Sequence, residues 1–260
     1  MLYIKDLTVE IATRPMKRVL NQVSFELRPG QSIAIVGESG AGKSSVLHSI
    51  LKLLPKTFSA RGEISFENSN LLAFSEKQMQ LVRGRQISFV FQNCLNSFDP
   101  IFTVGSQMDE CLRHYFPKMR KADRLVERQK LLATVGLQDS NVSSLFPHEL
   151  SGGMIQRVAV AQALSGKPDI VLADELINAL DSKLQIQTMN LLLDQVRSSG
   201  LALLWVTHDL RLARQFADKI IVMREGKIVE SSAPEPLFLS PQTSYSQFLL
   251  SCLPSGSRRD

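Results

Sequence analysis

Residues 33–45, IAIVGESGAGKSS, place the tightest constraint on what this chain can fold into. Four apolar residues, Ile33-Ala34-Ile35-Val36, read as a short strand buried on both faces. Gly37 ends it. Glu38, Ser39, Gly40, Ala41 and Gly42 then lead to Lys43, Ser44 and Ser45, which open an apolar-periodic segment. The spacing Gly-x-x-x-x-Gly-Lys-Ser is met at every position by Gly37, Gly42, Lys43 and Ser44. Backbone N–H groups of such a loop wrap a polyphosphate, and the following helix turns its positive N-terminal end toward it. Lys43 is expected to neutralise the β- and γ-phosphates, and the Ser44 hydroxyl to ligate Mg²⁺. A plain strand–turn–helix junction would account for the glycines as well. The loop alone leaves open which phosphate chemistry it serves, that of a kinase, a GTPase or another hydrolase.

With 260 residues the chain has enough material for one large or two modest domains, and 44% hydrophobic with 21% charged residues is ordinary for a globular protein. A net charge of +5 favours acidic partners mildly. It does not point to nucleic acid, because no Lys/Arg run approaches the blocks of about five or six like charges that mark such arms. Cys94, Cys111 and Cys252 lie far apart and form no CxxC pair, so neither a disulfide framework nor a zinc or iron–sulfur site is expected, and a reducing compartment is. The first eleven residues lack a signal-peptide core, and no apolar run reaches the length of a membrane span. The expectation is a soluble chain that can still sit against a membrane through a partner.

Residues 2–11 alternate as a strand, as do residues 23–27, and residues 62–67 read as a further strand of an antiparallel layer. Val46, Leu47, Ile50, Leu51 and Leu54 predict a helix with one buried face that stops before Pro55. Ile87 to Gln92 read as a buried strand that ends in a lone glutamine. From 93 to 165 the pattern turns helical, with Leu125, Leu132 and Val135 on the apolar side of a charged segment, which predicts an inserted helical subdomain. Strands return at 169–175 and 201–206, separated by a helix over 182–198 whose stripe is Ile186, Met189, Leu193 and Val196. A hairpin is expected around Arg224-Glu225-Gly226, followed by a poorly patterned tail. Strands and helices alternating around a phosphate loop imply an α/β fold with a parallel core sheet and an N-terminal antiparallel β layer. The expected division is one domain over 1–253, with core 1–92 and 166–232, helical subdomain about 93–165, and tail 233–260.

Two further places carry chemistry. Val171-Leu172-Ala173 runs into Asp174 and Glu175, a strand end of the kind that lies at the carboxyl edge of a parallel sheet. Asp174 is expected to hold Mg²⁺, and Glu175 to polarise an attacking water. Leu150-Ser151-Gly152-Gly153-Met154 precedes a helical run, so Ser151, Gly152 and Gly153 form a second helix N-terminus fit for an anion, though an ordinary N-cap would look the same. One loop already serves the phosphates within the chain. A second site therefore suggests action in trans, across a dimer interface.

These residues, in this order, resemble the ATP-binding subunits of ABC transporters over residues 2 to about 253. Gly37 to Ser44 match the Walker A loop, Ile170 to Glu175 the Walker B strand with its glutamate, and Leu150 to Met154 the signature LSGGQ. The resemblance implies that Gln92 is the Q-loop glutamine that contacts Mg²⁺, that His208 is the switch histidine that holds the γ-phosphate, and that Asn178-Ala179-Leu180-Asp181 is the D-loop. It implies ATP and Mg²⁺ as cofactors, a P-loop NTPase core, and Glu175, His208 and Lys43 as catalytic residues. The implied partners are two membrane permease subunits, a second ATPase subunit or another copy of this chain, and indirectly a substrate-binding protein, at the cytoplasmic face of the membrane.

Finer features are similar to the oligopeptide, dipeptide and nickel importer branch: Gly37-Glu38-Ser39-Gly40, Leu95-Asn96-Ser97-Phe98-Asp99-Pro100, and the tail from Ser240 to Leu250. The cysteine cluster carried by some long-tailed members has no counterpart beyond Cys252. Three departures stand out. Leu176 replaces the usual proline after the glutamate, Asn178 the usual Ser/Thr of the D-loop, and the aromatic that stacks on adenine is missing, leaving Ile11 or a neighbour in Ala12-Thr13-Arg14 to cover the base. Soluble ABC-type ATPases acting on nucleic acid or ribosomes share the motifs, but their coiled-coil insertions, zinc modules and second cassettes are not seen here. A catalytically weak member of a heterodimer is a third reading, opposed by Lys43, Glu175 and His208.

Overall fold

Leu2, Ile4, Leu7 and Val9 have no exposed surface, so the alternation at the start of the chain is realised as a strand, β1 (Leu2–Ile11). The computed structural model describes residues 1–12, 16–176 and 182–253. In chain order there follow β2 (Lys17–Leu27), β3 (Ser32–Val36), α1 (Lys43–Ile50), β4 (Phe58–Phe66), β5 (Ser69–Asn70), α2 (Glu76–Val82), β6 (Ile87–Val90), α3 (Val104–Tyr115), α4 (Lys121–Thr134), α5 (Gly152–Leu164), β7 (Ile170–Asp174), α6 (Ser182–Ser199), β8 (Ala202–Val206), α7 (Leu210–Phe216), β9 (Lys219–Arg224), β10 (Lys227–Ser232), α8 (Pro234–Leu239) and α9 (Ser244–Ser251). They fall into two compact units, Met1–Gln80 with Ala202–Asp260, and Leu81–Leu201.

The first unit contains an antiparallel sheet of order β2-β1-β4-β5 and a mixed run β10-β9-β3-β8. Strand β3 is parallel to both neighbours, with Ile35 opposite Val206 on one side and Ile221 on the other. All five of its residues are buried, which is why it reads as a continuous apolar run rather than an alternation. Its one polar residue, Ser32, is satisfied twice over. The backbone N–H donates to Asp218 Oδ2 at 2.8 Å, and the hydroxyl accepts from Trp205 Nε1 at 3.1 Å. Left unpaired, each buried group would cost about 1–3 kcal/mol.

Helix α1 buries Val46, Leu47 and Ile50 as the spacing predicts, but the expected stripe does not continue to Leu54. Lys52 takes a left-handed φ of 51° and the N–H of Leu53 donates back to His48 O at 2.8 Å, closing the helix a turn early. The tail holds more structure than its pattern suggests. Pro234 opens α8, a position where a helix tolerates proline, and Thr243 caps α9 by accepting from Ser246 N at 3.2 Å.

In the second unit β6 and β7 pair in parallel, with Val90 opposite Ala173. Thr103 caps α3, which buries Val104, Met108 and Leu112. Arg124 of α4 donates to Asp109 of α3 at 2.8 Å. Leu132 and Val135 are buried as the apolar side of that segment requires, whereas Leu125 is 45% exposed. Met189, Leu193 and Val196 of α6 are buried and Ile186 is exposed. Among the described residues no helix is long and apolar enough to cross a membrane.

Candidate nucleotide site

The phosphate loop leaves the carboxyl end of β3, the position where open α/β sheets bind ligands. Two of its glycines are required by close approach. A Cβ on Gly37 would lie 2.2 Å from Met223 O, and one on Gly42 would lie 2.7 Å from Leu20 Cδ2 with φ at +97°. The turn between them is closed by Ala41 N donating to Glu38 O at 3.1 Å, and from outside by Gly226 N donating to Ala41 O at 3.1 Å.

Lys43 is only 6% exposed, and its Nζ donates to Gly37 O and Glu38 O at 2.8 Å each. A cation held over backbone carbonyls inside a glycine loop fits a polyphosphate, whose oxygens can take over those hydrogen bonds. Helix α1 begins at that lysine, with Gly42 at its N-cap giving no side-chain cap and no acidic residue in its first turn. Its positive end is thus left for an anion. Ser44 and Ser45 occupy the first turn, and Glu38, Ser39 and Gly40 form the exposed lip.

His208 belongs to the same unit. Strands β3 and β8 run in parallel register, so the chain leaves both at one sheet edge: into the phosphate loop from Val36 and into Thr207-His208 from Val206. Thr207 is fully buried and its N–H donates to Ile35 O at 3.2 Å. Its hydroxyl accepts from Asp209 N at 3.0 Å, and Asp209 in turn accepts from Arg211 N at 2.8 Å to cap α7. His208 is therefore not the helix cap. It projects between two anchored residues. Asp209 is partly buried, which favours its neutral form, but its bonds with Arg211 prevail and hold its carboxyl below the usual range.

The second unit repeats this arrangement with different side chains. β6 and β7 are adjacent and parallel, so Gln92 and Glu175 emerge side by side, and Gln92 Nε2 donates to Glu175 Oε2 at 2.6 Å. Asp174, the last residue of β7, is 6% exposed. Glu175 has φ of +47°, a left-handed backbone conformation that ends the strand, and Leu176 behind it is buried. The Gln92–Glu175 bond is not visible in the sequence, because 83 residues separate the two.

Ser151, Gly152 and Gly153 open α5. The serine hydroxyl accepts from Met154 N at 3.3 Å, the N-cap bond expected of it. Ser151 and Gly152 are exposed, and a Cβ on Gly152 would meet nothing within 4 Å. Asn178 to Asp181, the expected D-loop, and Thr13 and Arg14, expected near the base, lie outside the described residues. Ile11 ends β1, opposite Lys17 and Phe58.

A glycine loop with an inward lysine on a parallel α/β core, together with a strand-end Asp-Glu pair, defines a phosphate-loop nucleotide hydrolase. The ABC transporter family model matches residues 20–178. Among curated proteins, the chain is 38% identical over 260 residues to the peptidoglycan transport ATP-binding protein YejF of Agrobacterium fabrum, covering 98% of this chain and 47% of that one. It is 38% identical to the oligopeptide transport ATP-binding protein OppD of Bacillus subtilis, covering 98% and 72%, and 40% identical to the dipeptide transport ATP-binding protein DppD of the same organism, covering 89% and 70%. The first of these relatives is thus about twice as long as this chain. The ATP-binding cassette MJ0796, solved as a dimer in a post-hydrolysis state with ADP and Pi, superposes with a TM-score of 0.81 at 29% identity, covering 90% of this chain and 99% of that one. The chain belongs to the ABC transporter family, as its ATP-binding cassette.

Proposed function

We propose that this chain is the ATP-hydrolysing subunit of an ABC importer, and that it couples ATP binding and hydrolysis to uptake of a peptide through two membrane permease subunits. The observation that carries the reading is Lys43, buried and folded over the carbonyls of Gly37 and Glu38 in a loop that only glycine can form. The peptide substrate rests on the names of the OppD and DppD relatives; the same branch resemblance extends to nickel and metal chelates. The chain would act at the cytoplasmic face of the membrane, held there by the permeases and fed indirectly by a substrate-binding protein.

In this reading the loop from Gly37 to Ser45 binds the triphosphate, and Lys43 exchanges its carbonyl partners for β- and γ-phosphate oxygens. Ser44, Asp174 and Gln92 are the residues that would hold Mg²⁺, which when bound neutralises charge on the phosphate oxygens. Glu175 accepts a proton from the attacking water as the water oxygen bonds to the γ-phosphorus and the bond to ADP breaks. His208 holds the γ-phosphate. The amide of Gln92 already engages the Glu175 carboxylate, which fits a glutamine that reports on the state of the site. Ser151, Gly152 and Gly153 would complete the site of a second ATPase subunit, a homologue or another copy of this chain, a role supported by the exposure of Ser151 and Gly152 at the helix start. That the MJ0796 cassette was solved as a dimer supports the pairing.

The test is ATP hydrolysis and peptide uptake in proteoliposomes that carry the permeases and this subunit. Wild type is expected to couple the two, and Glu175→Gln to bind ATP without either. Uptake that persists with the variant would refute the assignment of Glu175.

A further inference from the structure

The tail from Ser240 to Leu250 has so far had a family likeness and no task. The fold supplies one. The Glu230 carboxylate is 9% exposed and accepts from Gln242 N at 3.0 Å, Thr243 N at 3.1 Å and Thr243 Oγ1 at 3.2 Å, which fixes where α9 begins. The second residue of that helix is Tyr245, 5% exposed, with the Arg224 guanidinium 4.9 Å from its ring centroid. Its phenol oxygen accepts from Glu38 N at 3.1 Å, across 207 residues of sequence.

Glu38 is the first residue of the phosphate loop after Gly37, and its two backbone groups are held from opposite sides. The N–H is held by Tyr245, and the carbonyl accepts from Lys43 Nζ at 2.8 Å and Ala41 N at 3.1 Å. Any phosphate that recruits Lys43 takes its ammonium off the Glu38 carbonyl. The tyrosine bond does not depend on Lys43, so it can keep the loop in shape while the lysine changes partners. Arg224 over the ring and Glu230 under the helix start restrict where the phenol can go.

We propose that Tyr245 is a positioning residue for the phosphate loop: it holds the Glu38 N–H from the C-terminal helix so that the loop is preformed for ATP when Lys43 moves to the phosphates. This rests on the assignment of Gly37–Ser45 as the ATP phosphate loop, and the experiment separates the two. Dissociation constants for a fluorescent ATP analogue are measured on the full chain for wild type, Tyr245→Phe, Lys43→Ala and Trp205→Phe. Trp205→Phe removes a buried hydrogen bond to Ser32, at the end of β3 opposite the loop and in the same unit.

Tyr245→Phe keeps the ring and loses the acceptor, and it is expected to weaken ATP binding about fivefold to tenfold. In the assembled transporter it should raise KM by a similar factor and leave kcat within about twofold. Trp205→Phe should lower the melting temperature and leave ATP affinity unchanged. Tyr245→Phe with wild-type affinity, or an equal loss in Tyr245→Phe and Trp205→Phe, overturns the positioning role. Tight binding by Lys43→Ala overturns the underlying loop assignment instead.

Discussion

Two helices of this protein start at glycine–serine turns, α1 at Lys43 and α5 at Gly152, and the chain treats them oppositely. Around the first, backbone and side chains close in: Met223 O against Gly37, Leu20 against Gly42, Gly226 N on Ala41 and Tyr245 on Glu38. Lys43 is buried within. Around the second, the Ser151 hydroxyl caps the helix end from within, and Gly152 stands in open space. Equal sequence signals thus become a built cradle in one place and a bare surface in the other. That is the division expected if one chain supplies the cradle and a second supplies the cover.

The sharpest way to break this contrast is through the chemistry that the cradle is meant to serve. Glu175→Gln should lower ATP turnover by about 10²–10⁴-fold, the usual worth of a general base, with ATP affinity kept. Lys43→Ala should weaken ATP binding by about 10–10²-fold, because it removes charge-assisted bonds from a buried site, as titration with a labelled nucleotide would report. Gly42→Ala sets a Cβ 2.7 Å from Leu20 Cδ2 at a left-handed φ and should destabilise the fold by about 1–3 kcal/mol. Gly152→Ala meets no neighbour and should leave the thermal midpoint unchanged or slightly raised, since alanine favours the helix. Equal losses in the two glycine variants would erase the distinction between cradle and surface.

The smallest effect concerns the brace behind the cradle. Burial raises the Glu230 carboxyl, but hydrogen bonds from Gln242, Ser246 and Thr243 outweigh it and hold the group below its ordinary value of 4.5. A depressed carboxylate contributes stability that is fully present above the unfolded value and is lost as pH falls through the folded one. The stability gap between wild type and Glu230→Gln should therefore be constant at neutral pH and close as pH drops below about 4.5. A gap that widens in acid would contradict the assignment.

Much of this was legible in the residues alone. The strand at 33–36, the loop, the Asp174-Glu175 strand end and the Ser151 cap follow from local pattern, where short-range sterics and hydrogen bonding decide the outcome. The early end of α1 was not legible, because it depends on Lys52 entering a left-handed turn that nothing in its type demands. Nor were α8 and α9, which lie in the poorly patterned tail: Pro234 begins the first and Thr243 caps the second. The Gln92–Glu175 and Tyr245–Glu38 bonds are long-range products of strand order and helix docking, across 83 and 207 residues, and periodicity carries no trace of them.

The most direct test of the shared site is association of the hydrolysis-defective chain. In sedimentation experiments Glu175→Gln, alone or with its companion ATPase subunit, should form a dimer only with ATP and Mg²⁺. Adding Gly152→Asp, which places a negative charge on the open end of α5, should abolish that dimer while each chain still binds ATP with unchanged affinity. A dimer that survives Gly152→Asp, or one that forms equally without ATP, would contradict the account.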